Sequence, residues 1–415
     1  METAFTVFLV GVSVIASILI KFVSERVGFT PIIGYMGLGF LLHVFHLKWE
    51  PALDQTITLV EVLAVFGIIC LLFRLGLESD LSGLRKQLRP AGVIWFGNFF
   101  FSGFLAFSVA YSWLKLDLVP SLFIGTALTA TSIGIPLTVW KGAGAVESTN
   151  GELLLDVAEM DDISGVILMA FILTLAPALK TGAGIPITPV VLRTAGELLF
   201  KALVFGSFCF LFAHYAERPL AEFFRGIEPT PDPMLLVAGV GFIIAALAEM
   251  LGFSVAIGAF FAGLTFSGDP ETVKMTPSFS AVYDFFTPFF FINVGLSIDP
   301  DVFLNHLDIG LVLLVAAVVG KFVGTAGPAL PICGGTGALL LGISMLPRAE
   351  IAMVVMQRGS ALGEWAVPSP IYGAMVFVAA VTCLAAPLAL GPLFIRWPQR
   401  QKMSYRNRMP GGAGE

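Results

Sequence analysis

Apolar runs of about twenty residues, nearly free of charge, follow one another along the chain. Short Pro, Gly and charged clusters cut them, as in Glu217-Arg218-Pro219 and Pro229-Thr230-Pro231-Asp232-Pro233. Twenty helical residues rise about 30 Å, the hydrocarbon thickness of a bilayer. The pattern therefore predicts an all-α polytopic membrane protein with thirteen spans. They fall near 4–24, 30–47, 57–75, 90–114, 119–140, 152–178, 190–216, 233–251, 253–267, 284–298, 308–331, 333–357 and 368–395. These form one transmembrane domain over 1–395, followed by a basic, polar tail over 396–415 that predicts disorder.

Composition sharpens this picture. Apolar residues make up 57% of the 415, and charged residues only 13%, about half of what soluble chains carry. Mean hydropathy is +0.91. Cys70, Cys209, Cys333 and Cys383 lie in apolar runs at no metal-like spacing and read as packing residues. The acidic start Met1-Glu2-Thr3 and the lack of a small-residue cleavage site predict no cleavable signal peptide. No nucleophile triad, metal cluster or nucleotide motif points to an enzyme or a cofactor.

The basic residues set an orientation. With the N-terminus outside, the inner side holds fifteen: Lys21, Arg26, Arg74, Arg85, Lys86, Arg89, Lys141, Arg218, Arg225, Lys274 and five from Arg396 onward. The outer side holds five: Lys48, Lys115, Lys180, Arg193 and Arg358. Such an excess marks the cytoplasmic face, and a bacterial inner membrane is the expected location.

Two segments echo each other across the chain. Gly28-Phe29-Thr30-Pro31-Ile32-Ile33-Gly34, with Gly39 beyond, resembles Gly252-Phe253-Ser254-Val255-Ala256-Ile257-Gly258, with Gly263 beyond. Gly76-Leu77-Glu78-Ser79-Asp80 resembles Gly295-Leu296-Ser297-Ile298-Asp299 in the same order. The echoes are seven spans apart, an odd number, so the second copy is inverted. Repeat one covers about 4–178, a linking helix about 190–216 and repeat two about 233–395. Inverted repeats with interrupted helices at the midplane are the architecture of alternating-access transporters. The fifth span, with Thr126, Thr129, Thr131, Ser132, Gly134 and Pro136, and the twelfth, with Gly334, Gly335, Gly337, Gly342 and Pro347, are the expected discontinuous pair.

Charge inside the bilayer costs a few kcal/mol per group on insertion scales, so each such residue is a functional candidate. The sixth span carries Asp156, Glu159, Asp161 and Asp162 within seven residues. Asp161 and Asp162 fall near the bilayer centre and, about 100° apart, face different neighbours. Lys321 is mid-span and too deep to snorkel, so it is expected to pair with a carboxylate. Arg348 and Glu350 flank the interruption of the twelfth span, where they are expected to neutralise each other or fix the broken backbone. Asp156, Glu159 and Asp162 recur every three residues, which suggests an acidic funnel towards Asp162, with Glu159 able to join the ion's ligands. Glu61, Glu249, His43, His46, Lys201 and His214 read as interfacial or packing residues.

At these residues the chain resembles the monovalent cation/proton antiporters, in particular the branch with paired aspartates that holds electrogenic sodium/proton exchangers and potassium-efflux relatives. The resemblance spans roughly 4–395 and rests on Thr129-Ala130-Thr131-Ser132-Ile133-Gly134, Asp161-Asp162, Lys321 and Pro347-Arg348-Ala349-Glu350 in that order. It implies exchange of sodium or potassium for protons, with Asp162 as principal carrier of ion and proton. It further implies an Asp161–Lys321 pair, oxygen ligands around Thr131 and Ser132, and a homodimer with a static interface domain and a moving core. Ala158 stands where some relatives place a serine ligand, and Ala349 where a glycine is expected. A potassium-efflux transporter or channel on the same fold, or an organic-anion symporter, are the competing readings. The potassium-efflux system usually adds a cytoplasmic domain, and the symporter has no evident need for four carboxylates.

Overall fold

The computed structural model describes residues 2–27, 30–48, 54–78, 88–181, 187–212, 215, 233–251, 253–266 and 277–399. Gly28, Phe29, Ser79, Asp80 and Gly252 of the echoes, His214, the expected tail beyond 399 and several loop cations lie outside them. Among the described residues the chain is helical, with no strand. The helices are α1 (Glu2–Val27), α2 (Pro31–Lys48), α3 (Asp54–Glu78), α4 (Leu88–Ser108, extended by a π turn Val109–Trp113), α5 (Leu118–Ala127), α6 (Gly134–Gly142), α7 (Thr149–Thr181) and α8 (Ile187–Leu211). They continue as α9 (Pro233–Met250), α10 (Val255–Phe266), α11 (Pro277–Leu296), α12 (Pro300–Asn305), α13 (Leu307–Ser344), α14 (Glu350–Ser360) and α15 (Ser369–Arg396). Six described helices are long and apolar enough to cross a bilayer by themselves, and shorter apolar helices accompany them.

Both interruptions exist. The predicted fifth span divides into α5 and α6 around residues 128–133, and the predicted twelfth divides at 345–349, between the end of α13 and α14. At ten residues α5 rises only about 15 Å, half the hydrocarbon core. The boundary expected between the eleventh and twelfth spans is a kink inside α13 at Gly334, with φ 72° and ψ 176°. Only glycine adopts that conformation without a Cβ clash.

Two groups of helices emerge from the packing. In one, α13 lies against α4 and α15, while α5, α7 and α14 pack together beside them. In the other, α3 lies against α10 and α11, α2 against α11, and α1 and α9 cover the sides. The helix α8 touches α7 of the first group and α10 of the second.

The echoed glycines are the crossing points of the second group. A Cβ on Gly39 would lie 1.9 Å from the Ile292 carbonyl oxygen and 2.9 Å from the Leu296 nitrogen; one on Gly295 would meet the Met36 oxygen at 2.0 Å and the Phe40 nitrogen at 2.8 Å. Gly76 meets Phe260 and Leu264 in the same way, and Gly263 meets Phe73 and Leu77. The shift along the chain that carries Gly76 to Gly295 also carries Phe73 to Ile292 and Leu77 to Leu296. Contacts exchange as a two-fold relation between the repeats requires. Here the missing side chain matters, because backbone meets backbone and nothing can rotate away. Gly39→Ala and Gly295→Ala should each destabilise the protein by about 1–3 kcal/mol. Because one separation of α2 from α11 relieves both clashes, the double variant should cost less than the sum. Unfolding in detergent measures this, and additive losses would count against a shared crossing.

Candidate ion site

The two interruptions meet. The Ser132 N–H donates to the Pro347 carbonyl at 2.9 Å, joining one broken strand of backbone to the other. Pro136 sits in the first turn of α6, where its missing N–H removes no helical bond. The Arg348 N–H donates to the Thr382 hydroxyl at 3.1 Å, and the Cys383 thiol donates to the Arg348 carbonyl at 3.2 Å. Backbone groups freed by the breaks are thus taken up by neighbouring helices, the condition for irregular chain at membrane depth.

Around this crossing the paired aspartates have opposite surroundings. Asp161 is fully buried and saturated. Its Oδ2 accepts from the Lys321 ammonium at 2.8 Å and from the Thr131 hydroxyl at 2.6 Å, and its Oδ1 accepts from the Asn98 amide at 3.0 Å. Lys321, also fully buried, donates a second bond to the Thr129 carbonyl. Asn98 is held in turn by the Thr325 hydroxyl at 3.3 Å. The whole set is a closed network across α4, α7, α13 and the first break.

The Asp162 carboxylate has no hydrogen-bond or ion-pair partner among the described residues, although the charges of Asp161, Glu350 and Lys321 act on it. It lines a cavity of about 210 Å³ together with Thr131, Ser132, Ile133, Gly134, Glu350 and Ile351. The Ser132 hydroxyl, on a residue only 2% exposed, lies on that cavity beside the Glu350 carboxylate and makes no hydrogen bond of good geometry. Asp162 from α7, Glu350 from the facing wall of α14 and the Ser132 hydroxyl give the cavity an oxygen-rich lining of the kind a hard cation takes. Leu71, Arg74, Leu75, Glu78 and Tyr283 complete the lining, with Arg74 and Glu78 at its exposed end. Arg74 is neutralised by Glu78 at 2.7 Å and lies over the Tyr283 ring at 4.5 Å.

The residues singled out from the sequence therefore divide. Thr131, Ser132, Asp162 and Glu350 share the cavity; Asp161 and Lys321 share the network beside it, with Thr131 belonging to both. Arg348 and Glu350 separate. The guanidinium, fully buried, donates to the Ala130 carbonyl and, at 3.4 Å, to the Thr131 hydroxyl, tying the second break to the first. Glu350 instead opens α14 on the cavity side. Asp156 and Glu159 are half-buried on α7 and are not among the residues lining the cavity, although the Glu159 charge reaches Asp162. Four residues have no site role in the sequence reading: Asn98, Tyr283, Arg74 and Glu78. Asn98 is an uncharged amide in the apolar run Phe96-Gly97-Asn98-Phe99, a signal that a search for formal charges passes over.

The chain is similar to several known proteins. The chain is 28% identical over 376 residues to a Na(+)/H(+) antiporter of Enterococcus hirae, covering 89% of this chain and 92% of that one. It is 29% identical over 351 residues to the high-affinity Na(+)/H(+) antiporter NhaS3 of Synechocystis, covering 81% and 71%. To the K(+)/H(+) antiporter subunit KhtU of Bacillus subtilis it is 24% identical over 404 residues, covering 95% and 94%. Its fold matches the sodium proton antiporter MjNhaP1 of Methanocaldococcus jannaschii with a TM-score of 0.63 at 16% identity, over 95% of this chain and 99% of that one. A family model described as "Sodium/hydrogen exchanger, transmembrane" matches residues 12–396, and the chain, an integral membrane protein, belongs to that family.

Proposed function

We propose that this chain exchanges sodium for protons by alternating access, with Asp162 holding either the cation or a proton and Glu350 and Ser132 completing the ion's oxygen shell. The observation that carries this reading is the contrast within the pair: Asp161 is locked by Asn98, Thr131 and Lys321, while Asp162 is the carboxylate left open to a cavity. A carboxylate held away from water favours its protonated form, and a bound cation replaces that proton. Only the neutralised site passes the apolar barrier. If the proton count exceeds the cation count, each net charge moved through 100 mV contributes about 2.3 kcal/mol. Glu159 contributes through its charge on Asp162, and Asp156 extends the same acidic line. With the N-terminus outside and the protein in a bacterial inner membrane, the Asp162 cavity opens to the cytoplasm. A homodimer built on the glycine-crossed group is the matching assembly.

Proton movement in proteoliposomes tests the reading. Adding sodium or lithium to acid-loaded vesicles should release protons, with choline inert. Release by potassium alone would favour a second reading, potassium/proton exchange, to which the likeness to KhtU lends support. Glu350→Gln should raise the sodium concentration needed for half-maximal exchange by about tenfold, the effect of removing a charge-assisted contact worth about 1.4 kcal/mol. An unchanged affinity would remove Glu350 from the shell.

A further inference from the structure

A second cavity, of about 230 Å³, lies along α3 and α11 at the end away from Glu78. Its ionisable and polar lining is Glu61, Asn293, Ser297, Gln357 and Arg358. The sequence alone left Glu61 as an interfacial carboxylate and Arg358 as a loop cation; the fold brings both into one chamber.

The repeat relation connects this chamber to the Asp162 cavity. The shift that carries Gly76 to Gly295 carries Leu71, Arg74 and Glu78 of the first cavity to Phe290, Asn293 and Ser297 of the second. Run backwards, it carries Tyr283 to Ala64, which also lines the second. Leu75 maps to Val294, and Glu61, Val65 and Ile68 of the second cavity map to Ser280, Asp284 and Thr287, none of them in the other cavity. The half-helix α14 joins the two, with Glu350 and Ile351 in one cavity and Gln357 and Arg358 in the other. Seven helical steps separate Glu350 from Gln357, about 10 Å of rise. Between them Ala352, Met353, Val354, Val355 and Met356 are buried, an apolar plug of under two turns.

We propose that the second cavity is a cation-recruiting chamber on the opposite face of the membrane, with Glu61 attracting the hydrated ion and Arg358 limiting how tightly it is held. This rests on the exchange reading above. The chamber has room for several waters, each taking about 30 Å³ of liquid volume. Its neutral groups, Asn293, Ser297 and the Gln357 amide, suit an ion that keeps part of its hydration. Gln357 is itself fixed by the Tyr372 hydroxyl, which donates to its Oε1. The repeats put different residues to one use. Arg74 and Glu78 at the exposed end of the first cavity both come from α3, whereas their counterparts Asn293 and Ser297 are uncharged. The second chamber draws its charges from Glu61 on α3 and Arg358 on α14 instead, and the Glu249 carboxylate at the end of α9 also acts on Arg358. A fixed guanidinium beside an ion path lowers cation occupancy there, and a carboxylate raises it.

The test uses oriented proteoliposomes with sodium supplied from either face. Arg358→Gln should lower the half-saturating sodium concentration from the Arg358 face by threefold to tenfold, and Glu61→Gln should raise it by a similar factor. From the Asp162-cavity face both variants should stay within twofold of the parent. Arg358→Lys, which keeps the charge, should behave like the parent, as a merely structural role for the guanidinium would not predict. Gln357→Cys should react with a membrane-impermeant thiol reagent from one face and Glu78→Cys from the other. An active parent with unchanged or equally changed affinities on both faces overturns the proposal, as does labelling of both cysteines from one face. A parent that moves no protons in response to any alkali cation overturns the exchange reading itself.

Discussion

Asp162→Asn leaves a folded, membrane-inserted protein in which cation-driven proton movement has fallen by at least about 100-fold, the scale set by removing a proton-carrying group. The amide keeps the shape of the side chain but binds neither a transferable proton nor a cation with a full charge. Nothing in the described structure leans on Asp162, so the substitution breaks no bond. It removes a buried carboxylate that no described group hydrogen-bonds, and thermal stability in detergent should equal or exceed that of the parent. The two measurements together isolate function from folding. A folded variant that keeps appreciable exchange removes Asp162 from the carrier role.

That contrast between neighbouring aspartates marks where the sequence stops being informative. Hydropathy gives the spans because twenty apolar residues have few other places to be. The glycine echoes give the repeats because a backbone contact tolerates no other residue at Gly39, Gly76, Gly263 and Gly295. Whether Asp161 or Asp162 is open depends on Asn98, Thr131 and Lys321, which arrive from three other segments. No local pattern encodes their convergence; the resemblance to cation/proton antiporters implies a role for each aspartate, and the structure shows how differently the two are surrounded. The same limit separates Arg348 from Glu350. Two residues apart at the edge of a break, they look like a neutralising pair, but side chains at that spacing do not face each other. One turns to the Ala130 carbonyl and the other to the cavity. Glu159 is the converse case. It is one helical turn from Asp162, yet the cavity's opposite wall is α14, nearly two hundred residues away in the chain.

Breaking the Asp161–Lys321 pair from one side is the larger structural perturbation. Both groups are fully buried and 2.8 Å apart. Asp161→Asn keeps the shape, but Asn98 and Thr131 donate to different carboxylate oxygens and the amide has one, so it accepts at most one of those bonds and leaves the Lys321 ammonium without its hydrogen-bonded anion. Lys321→Met leaves Asp161 charged with two neutral donors. Stranding a buried charge in this way costs about 3–5 kcal/mol, a large share of the 5–15 kcal/mol that holds a typical domain together. Each single variant should therefore unfold in detergent at clearly lower temperature or denaturant concentration than the parent. Removing both charges is a different matter, because a neutral pair of similar volume has no ion left to desolvate. The Asp161→Asn/Lys321→Met double variant should recover most of the loss, with a coupling energy of about 2–3 kcal/mol in the double-mutant cycle. If the double variant is as unstable as the sum of the singles, the two groups do not compensate each other. The network around Asn98 and Thr131 would then be what positions Asp161.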